Sequence, residues 1–172
     1  MEVSLTLATG KDLQALHHFF VFYFTDLSEF EENIILNEYG LPTWAPDGLP
    51  GPSNIEECVR MNWWIRDNCL LYLIRVEGIP AGFTIICTDK AHLLPNVDFE
   101  LMDFYIAPKF RRQGVGRCAA NMAFNLFRGG IWQVYELERN FRARSFWKSV
   151  IEEYTKGNFQ QLDSGTQQRF RN

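Results

Sequence analysis

The sequence predicts an α/β fold in which a mixed central β-sheet is flanked by about four helices, in the order β-α-α-β-β-β-α-β-α-β-β. Two apolar segments, 69–76 and 81–88, are separated by Glu77-Gly78, and this pattern is typical of an antiparallel hairpin. Residues 97–137 hold a strand, a helix and a second strand, and such a crossover joins parallel strands. A sheet with both kinds of pairing is mixed.

The N-terminal half is predicted to hold one strand and two helices. Apolar residues alternate along the strand at residues 2–7, and from about Lys11 they recur at helical spacing. Residues 40–52 contain four of the seven prolines, so we expect a long surface loop rather than a helix or a central strand. Ser53-Asn54-Ile55-Glu56 matches a capping box that opens the second helix, which is expected to continue to about Trp64.

The C-terminal half is predicted to alternate strands and helices after the hairpin. Ala107-Pro108 stops a strand, and Gly129-Gly130 ends a helix, because proline and glycine interrupt these elements. In order, the expected elements are a strand over 97–106, a helix from about 114, a strand over 131–137, a helix from 141 to about 153 and two strands after 154.

Composition restricts the class of protein. The length of 172 residues suits a single domain over 1–172, and the net charge of −4 argues against nucleic-acid binding. Four cysteines without a C-x-x-C pair, with only three histidines, give no zinc-site pattern. The sequence shows no signal-peptide pattern and no membrane-spanning apolar run, so we expect a cytoplasmic protein without a membrane partner. The 15% aromatic content is compatible with a homodimer.

Charge is distributed unevenly along the chain. Residues 26–57 contain eight acids and no lysine or arginine, whereas residues 109–117 contain four cations and no acid. The second stretch suits a polyanion, and the first suits a cationic amine. Two solvated surfaces without any ligand would give the same pattern.

The pattern Arg111-x-x-Gly114-x-Gly116 lies between a predicted strand and a predicted helix. A helix N-terminus presents unpaired N–H groups and a partial positive charge, and both bind phosphates. Glycines let an anion approach the backbone and accept positive φ, while arginines add charge. The sequence therefore predicts a diphosphate site formed by Arg111, Arg112, Gln113, Gly114, Val115, Gly116 and Arg117.

Two other phosphate-binding loops fit less well. The P-loop pattern G-x-x-x-x-G-K-[ST] is absent. Residues 114–119 match G-x-G-x-x-A, and Glu136 follows at a suitable distance, but that dinucleotide-binding fingerprint begins directly at the end of a strand. Here residues 108–113 intervene, and the 58 residues after Gly114 are too few for the rest of a dinucleotide-binding sheet.

At this loop the chain resembles the GNAT superfamily of N-acetyltransferases. Residues 101–117 resemble the family's fourth strand and pyrophosphate loop, whose pattern is [QR]-x-x-G-x-[GA]. The motif Asn140-x-x-Ala143-x-x-Phe146-Trp147 is similar to N-x-x-A-x-x-[FLY]-Y, which opens the next helix of that fold. The predicted element order agrees with the GNAT fold along the whole chain, and residues 23–30 resemble a subgroup of uncharacterised predicted acetyltransferases.

The resemblance implies acetyl-CoA as the acyl donor and no metal. The backbone of Phe104, Tyr105 and Ile106 would pair with the pantetheine arm like an extra strand, because an unpaired strand edge offers the donors and acceptors that its amides need. The backbone from Gln113 to Arg117 would bind the pyrophosphate. Asn140 would contact the pantetheine or the neighbouring backbone.

The resemblance also implies direct attack of an amine on the thioester, for which a base must take the amine proton. Glu100 precedes Gly114 by 14 residues, where histone-type members place their base; a solvated or ion-paired strand residue is the alternative interpretation. Strand alternation predicts that Glu100 and Phe104 share one face and that Asp103 lies on the other. Apolar neighbours would raise the pKa of Glu100.

The predicted general acid departs from the family pattern. Trp147 stands where many members have a tyrosine that protonates the leaving thiolate, and an indole N–H is not a practical proton donor. Tyr105, Tyr154 or water would take that role.

The acceptor pocket is expected to draw on the first two helices and the 40–52 loop. Candidate contacts are Tyr23, Asp26, Glu29, Trp44 and Trp147. The acidic stretch favours an acetyltransferase that acts on a primary amine of a small cationic molecule. A protein or peptide N-acetyltransferase and a non-catalytic acyl-CoA-binding module are the alternatives.

Overall fold

A computed structural model describes residues 1–44, 51–62 and 69–172. Short 3-10 turns lie at Pro108–Phe110 and Asp163–Gly165. The helices are α1 (Lys11–Leu27), α2 (Ile55–Asn62), α3 (Val115–Leu126) and α4 (Phe141–Thr155). The strands are β1 (Val3–Leu7), β2 (Ile34–Leu36), β3 (Pro42–Trp44), β4 (Leu70–Val76), β5 (Ile79–Cys87), β6 (Phe99–Ile106), β7 (Ile131–Tyr135), β8 (Gln160–Leu162) and β9 (Gln167–Arg171).

Seven strands form the central sheet in the order β1-β4-β5-β6-β7-β9-β8. The β6–β7 pair is parallel, and the other neighbouring pairs of this sheet are antiparallel. The parallel pair brackets α3, as the crossover rule requires. The mixed α/β sheet that the sequence predicts is therefore confirmed.

Helices cover both faces of the sheet. We call the side under α1 and α2 the α1 face, and its buried residues include Leu16, Phe20, Phe24, Cys58, Phe83, Ile85 and Tyr105. We call the side under α3 and α4 the α4 face, and its buried residues include Leu101, Ala120, Phe124, Trp132, Trp147, Ile151 and Phe170. Each fully buried large apolar side chain contributes about 1.5–3 kcal/mol, so two cores stabilise the sheet from opposite sides.

The predicted 40–52 loop is wrong in part. Pro42–Trp44 pairs with Ile34–Leu36 in a separate two-stranded sheet, so two strands lie between α1 and α2. Proline is tolerated there because it is the first residue of an edge strand, where no ladder partner needs its missing N–H. Residues 45–50 of this loop, and Trp64 at the expected end of α2, lie outside the described residues.

The capping box of α2 is shifted by one residue from the predicted one. The Asn54 side chain accepts the N–H of Glu57 at 3.0 Å. The Glu57 carboxylate reaches back to the Ser53 N–H at 2.8 Å and to its hydroxyl at 2.7 Å. Asn54 rather than Ser53 therefore caps the helix, because asparagine accepts as well as serine at that position. Among the described ranges, no helix combines the length and the apolar character needed to cross a bilayer.

Candidate active site

Strands β6 and β7 separate after a short stretch of pairing. Their ladder joins Phe99–Leu101 to Trp132–Val134, although β6 continues to Ile106. The Ala107 N–H donates to Ala81 O on β5 at 2.8 Å. Because successive residues of a strand direct their N–H and C=O groups to opposite edges, Phe104 and Ile106 turn theirs toward the gap between β6 and β7. A slot with an open strand edge results.

The loop after β6 leads into the N-terminus of α3. Gly114 caps this helix in the left-handed conformation, with φ of 82°. The first bond within the helix runs from the Cys118 N–H to Gly114 O at 3.0 Å, so the N–H groups of residues 115–117 have no acceptor inside it. A Cβ built on Gly114 would meet no atom within 4 Å, so the space beside this residue is open. The cradle fits a diphosphate.

The two glycines of the loop motif have different tasks. Gly114 supplies the positive φ that turns the chain into α3. A Cβ on Gly116 would lie 3.2 Å from Cζ of Phe146 on α4, so this glycine lets α3 and α4 approach closely. The role of Gly114 in admitting an anion stays a prediction, and the contact with Phe146 gives Gly116 a role in packing.

The arginine side chains of the loop bind protein groups. Arg111 donates from Nε to Ile106 O and pairs through Nη2 with Asp26, each at 2.6 Å. Arg117 pairs with Glu153 on α4 and donates to the Ser149 hydroxyl at 2.9 Å. Two of the cations expected at the diphosphate are thus neutralised by carboxylates. The backbone amides at the start of α3 are therefore the groups of this loop that stay available to an anion.

Asn140, the other motif residue, is the N-cap of α4. Its side-chain oxygen accepts the N–H of Ala143 at 3.0 Å. The spacing in Asn140-x-x-Ala143 is therefore that of a helix cap, in which the side chain reaches the third residue of the helix. The cap begins α4 shortly after the end of β7 in the chain.

A β-bulge in β6 overturns the predicted arrangement of its carboxylates. On β5, Ile85 pairs with Asp103 and the next residue, Ile86, pairs with Leu101, so one extra residue stands in β6. The alternation of side chains is reset there. Glu100 and Asp103 consequently lie together on the α1 face, whereas Phe104 packs edge-on against Trp147 on the α4 face at 5.0 Å.

The two carboxylates perturb one another. Burial raises the pKa of Glu100, the nearby Asp103 raises it further, and a hydrogen bond from Gln133 lowers it. That bond runs from Gln133 Nε2 to Glu100 Oε2 at 3.3 Å. Asp103 accepts the Tyr23 hydroxyl at 2.8 Å and is buried. A raised pKa makes the Glu100 carboxylate a stronger proton acceptor, which is the property that a general base needs.

Gln133 and Arg169 belong to this site, and the sequence interpretation missed them. Gln133 accepts Nη2 of Arg169 at 3.0 Å, besides donating to Glu100. The one available signal is a glutamine in the middle of the otherwise apolar strand Ile131–Tyr135. Such a residue needs buried polar partners, but the sequence does not tell which strands supply them.

The candidates for a general acid lie on different faces. Trp147 is 5% exposed and belongs to the α4-face core, so it does not line the α1 face. Tyr154 also packs there, and its hydroxyl donates to Asn125 at 3.1 Å. The Tyr105 ring lies on the α1 face under the guanidinium of Arg111. Burial and Asp26 raise the pKa of Tyr105, while Arg111 lowers it.

The residues predicted to contact the acceptor also differ in their surroundings. Tyr23 reaches the carboxylate pair through Asp103, whereas Asp26 is occupied by Arg111. Glu29 is exposed beyond the end of α1. Trp44 packs on Phe24 with 5.6 Å between ring centroids. Within the described ranges, no group of three or more histidine, cysteine or acidic residues could hold a metal ion.

Comparisons with known proteins agree with this geometry. The sequence model of the acetyltransferase (GNAT) family matches residues 38–150, more than half of the chain. The chain therefore belongs to the GNAT acetyltransferase family, and it is a transferase enzyme. Members of this family bind acetyl-CoA or CoA and act on small-molecule or peptide acceptors. A search of curated protein sequences finds no match.

Solved structures share the fold at low identity. A protein of Corynebacterium glutamicum, described as histone acetyltransferase HPA2 and related acetyltransferase, is 15% identical, with a TM-score of 0.62 over 87% of this chain and 84% of that one. The PaiA N-acetyltransferase of Thermoplasma acidophilum, in complex with coenzyme A, is 14% identical, with a TM-score of 0.58 over 100% of both chains. An acetyltransferase of Thermus thermophilus is 20% identical, with a TM-score of 0.58 over 98% of this chain and 94% of that one.

Proposed function

We propose that the chain, as a single domain over residues 1–172, transfers an acetyl group from acetyl-CoA to a primary amine of a small cationic molecule. The observation that carries this proposal is the joint placement of three features. The β6–β7 slot has an open strand edge, the α3 N-terminus at its end presents free amides, and a carboxylate pair, half-buried Glu100 and buried Asp103, lies beside it on the α1 face. Donor and acceptor would meet where the slot and the pair adjoin.

The cofactor would be held mainly by backbone. The N–H and C=O groups of Phe104 and the N–H of Ile106 face the slot and match the amides of pantetheine, with Tyr105 between them. The C=O of Ile106 already accepts Nε of Arg111. The amides of residues 115–117, after Arg112, Gln113 and Gly114, would bind the pyrophosphate. Asn140 would border the slot from the start of α4. The Thermoplasma relative, crystallised with coenzyme A, supports this use of the fold.

Glu100 would act as the general base. Acetyl-CoA, when bound, would supply a thioester. As the amine nitrogen bonds to its carbonyl carbon, the C–S bond would break and CoA would leave as the thiolate. Only a neutral amine is nucleophilic, so Glu100 takes the amine proton directly or through one water. Its raised pKa makes it a stronger base than an exposed glutamate.

The acceptor class follows from charge. Glu100 and Asp103 place two carboxyls on the α1 face beside the slot, and Tyr23 borders Asp103. A cationic amine gains from these groups before it loses its proton, whereas an anionic acceptor is repelled. The charge alone does not separate a small amine from a peptide lysine, so the peptide acceptor stays as the second candidate.

The test measures CoA release and CoA binding on the same preparation. Thiol release from acetyl-CoA is followed across polyamines, aminoglycosides, amino-acid esters and lysine peptides, and calorimetry gives the Kd of CoA. We expect micromolar CoA binding and turnover of at least one small di- or polyamine, with carboxylated amines slower. Turnover of peptides alone would favour the second candidate. CoA binding without turnover of any amine would favour a non-catalytic acyl-CoA-binding module, and absence of CoA binding would overturn the proposal.

A further inference from the structure

Three polar side chains form a straight row across three neighbouring strands on the α1 face. Glu100 on β6 is in register with Gln133 on β7, and Gln133 is in register with Arg169 on β9. Gln133, only 3% exposed, donates to Glu100 Oε2 at 3.3 Å and accepts Arg169 Nη2 at 3.0 Å. Each hydrogen bond therefore joins residues that the sheet already holds side by side.

The hydrogen-bonding properties of Glu100 and Arg169 determine the orientation of the Gln133 amide between them. A guanidinium only donates and an ionised carboxylate only accepts. Gln133 must therefore turn its oxygen to Arg169 and its NH2 to Glu100. A flipped amide would set oxygen against carboxylate and NH2 against guanidinium, and both hydrogen bonds would be lost. Arg169 thereby sets the amide orientation in which Gln133 donates a hydrogen bond to Glu100, although Arg169 itself does not contact Glu100.

Stability alone does not explain the row. Nε of Arg169 is buried and has no hydrogen-bond partner within the described residues. Leaving such a donor unpaired costs about 1–3 kcal/mol, and buried charges are often less stabilising than apolar side chains of similar volume. An apolar row at these three register positions would pack between the same strands without that cost.

Extending the proposed function, in which Glu100 is the base, we infer that Gln133 and Arg169 are positioning residues that hold Oε2 of Glu100 and direct proton uptake to Oε1. Among the residues that the structure describes, other groups near Glu100 include Asp103 on the same strand, Tyr23 of α1 through Asp103, and Cys87, its register partner on β5. Asp103 disfavours the ionised carboxylate, and Gln133 favours it. The hydrogen bond from Gln133 therefore both positions the Glu100 carboxyl and favours its ionised form.

The test measures the pKa of Glu100 directly, by a carbon-detected NMR titration of its side-chain carboxyl. The carboxyl signal of Glu100 is assigned as the one that disappears in Glu100→Gln. Gln133→Met removes the donor, and we expect the pKa of Glu100 to rise by about one unit, tenfold in the ionisation constant. Arg169→Met frees the amide to rotate and should give a smaller rise. Arg169→Lys keeps a donor-only cation and should restore the wild-type titration. Arg171→Met is the matched control, because Arg171 lies on the same strand and binds Gly129 O instead.

The kinetic arm uses the pH dependence of kcat/KM with whichever amine is turned over. The acid limb should move to higher pH in Gln133→Met and Arg169→Met, with activity recovered at high pH, and should stay in place in Arg171→Met. An unmoved titration in Arg169→Met would overturn the inference, and so would a shift in Arg169→Lys equal to that in Arg169→Met. If Gln133→Met does not fold, the comparison of Arg169→Met with Arg169→Lys still tests the inference. Absence of turnover would refute the proposed function, yet the NMR titration would still decide the inference.

Discussion

Asp26 on α1 forms an ion pair with Arg111 of the loop before α3, with 2.6 Å between Oδ2 and Nη2. The same guanidinium donates to Ile106 O at the end of β6 and lies 5.3 Å from the centre of the Tyr105 ring. One side chain thus connects α1, the end of β6 and the loop before α3. The acidic and basic stretches that the sequence assigned to two different ligands meet each other here.

Asp26→Asn is expected to tighten CoA binding at low salt. The change frees the Arg111 cation beside the loop, and an exposed pair of this kind is coupled by about 0.2–1 kcal/mol, so the Kd should fall by at most about fivefold. The gain should vanish near 1 M salt because exposed charges are screened. Calorimetry at two salt concentrations measures it. Asp12→Asn, which releases Arg75 on β4 and changes the net charge equally, is the control; an equal gain there would contradict a local effect.

Gly114→Val is expected to weaken CoA binding at least about tenfold, or 1.4 kcal/mol, because the side chain strains a left-handed residue and covers the free amides of α3. Gly129→Val is matched to it. Gly129 has φ of 81° against 82° for Gly114, and a Cβ on either meets no atom within 4 Å. Both variants should lose similar thermal stability, while only Gly114→Val loses CoA affinity. Equal losses of CoA affinity in the two variants would contradict the prediction that the diphosphate binds at this loop.

Glu100→Gln is expected to lower kcat/KM by about 10²–10⁴ at neutral pH, because the amine loses its proton acceptor. The loss should shrink at high pH, where more of the amine is already neutral. A pH series with one amine measures the ratio to wild type. A ratio that is constant across the series would show that Glu100 does not act as a base.

Asp103→Asn is expected to move the acid limb of kcat/KM to lower pH. The Asp103 charge raises the pKa of Glu100, so a neutral isostere lowers that pKa and lets Glu100 ionise earlier. Asparagine retains an oxygen that accepts the Tyr23 hydroxyl, which protects the packing of α1. A limb that moves upward, or does not move, would contradict the coupling of the two carboxyls.

Glu136→Gln is expected to stabilise the protein at pH 8 and to change little at pH 5. Glu136 follows β7, is 4% exposed, and burial raises its pKa to about 8 although Gln168 and Arg144 oppose the shift. The folded state then holds a proton that the unfolded chain loses near 4.5, so stability falls between about pH 4.5 and 8, by at most about 1.4 kcal/mol per unit.

Urea unfolding at pH 5 and pH 8 measures this difference for Glu136→Gln. A gain of about 2 kcal/mol at pH 8 is expected after allowance for relaxation of the buried site. Glu138→Gln removes an exposed carboxyl two residues further along and serves as the control. If the two variants respond alike at both pH values, burial of Glu136 does not control the pH dependence.

Local features of the sequence predicted most of the fold. The seven strands and four helices of the layered fold follow from apolar periodicity, and their limits follow from proline, glycine and asparagine. The left-handed Gly114 and the cap formed by Asn140 are also short-range, because each depends on residues within one helical turn. The β2–β3 pair was missed because a three-residue strand leaves almost no periodic signal.

The arrangement of the candidate site was harder to predict. One extra residue in β6 brings Asp103 to the side of Glu100, and strict alternation had separated them. A bulge is stabilised by packing against β5 and α1, which lie far away in sequence, so the pattern of β6 alone does not reveal it. The same holds for Arg169, which reaches Gln133 only because β9 is placed next to β7.

By itself, the sequence determined the α/β class, the family and the glycine-capped start of α3, because backbone conformation and helix ends depend on near neighbours. Only the tertiary structure decided which charges meet: Arg111 with Asp26, Glu100 with Asp103, and Gln133 between Glu100 and Arg169. Those contacts depend on strand register and on packing between distant segments, and side-chain electrostatics act over a few ångströms of space whatever the separation along the chain.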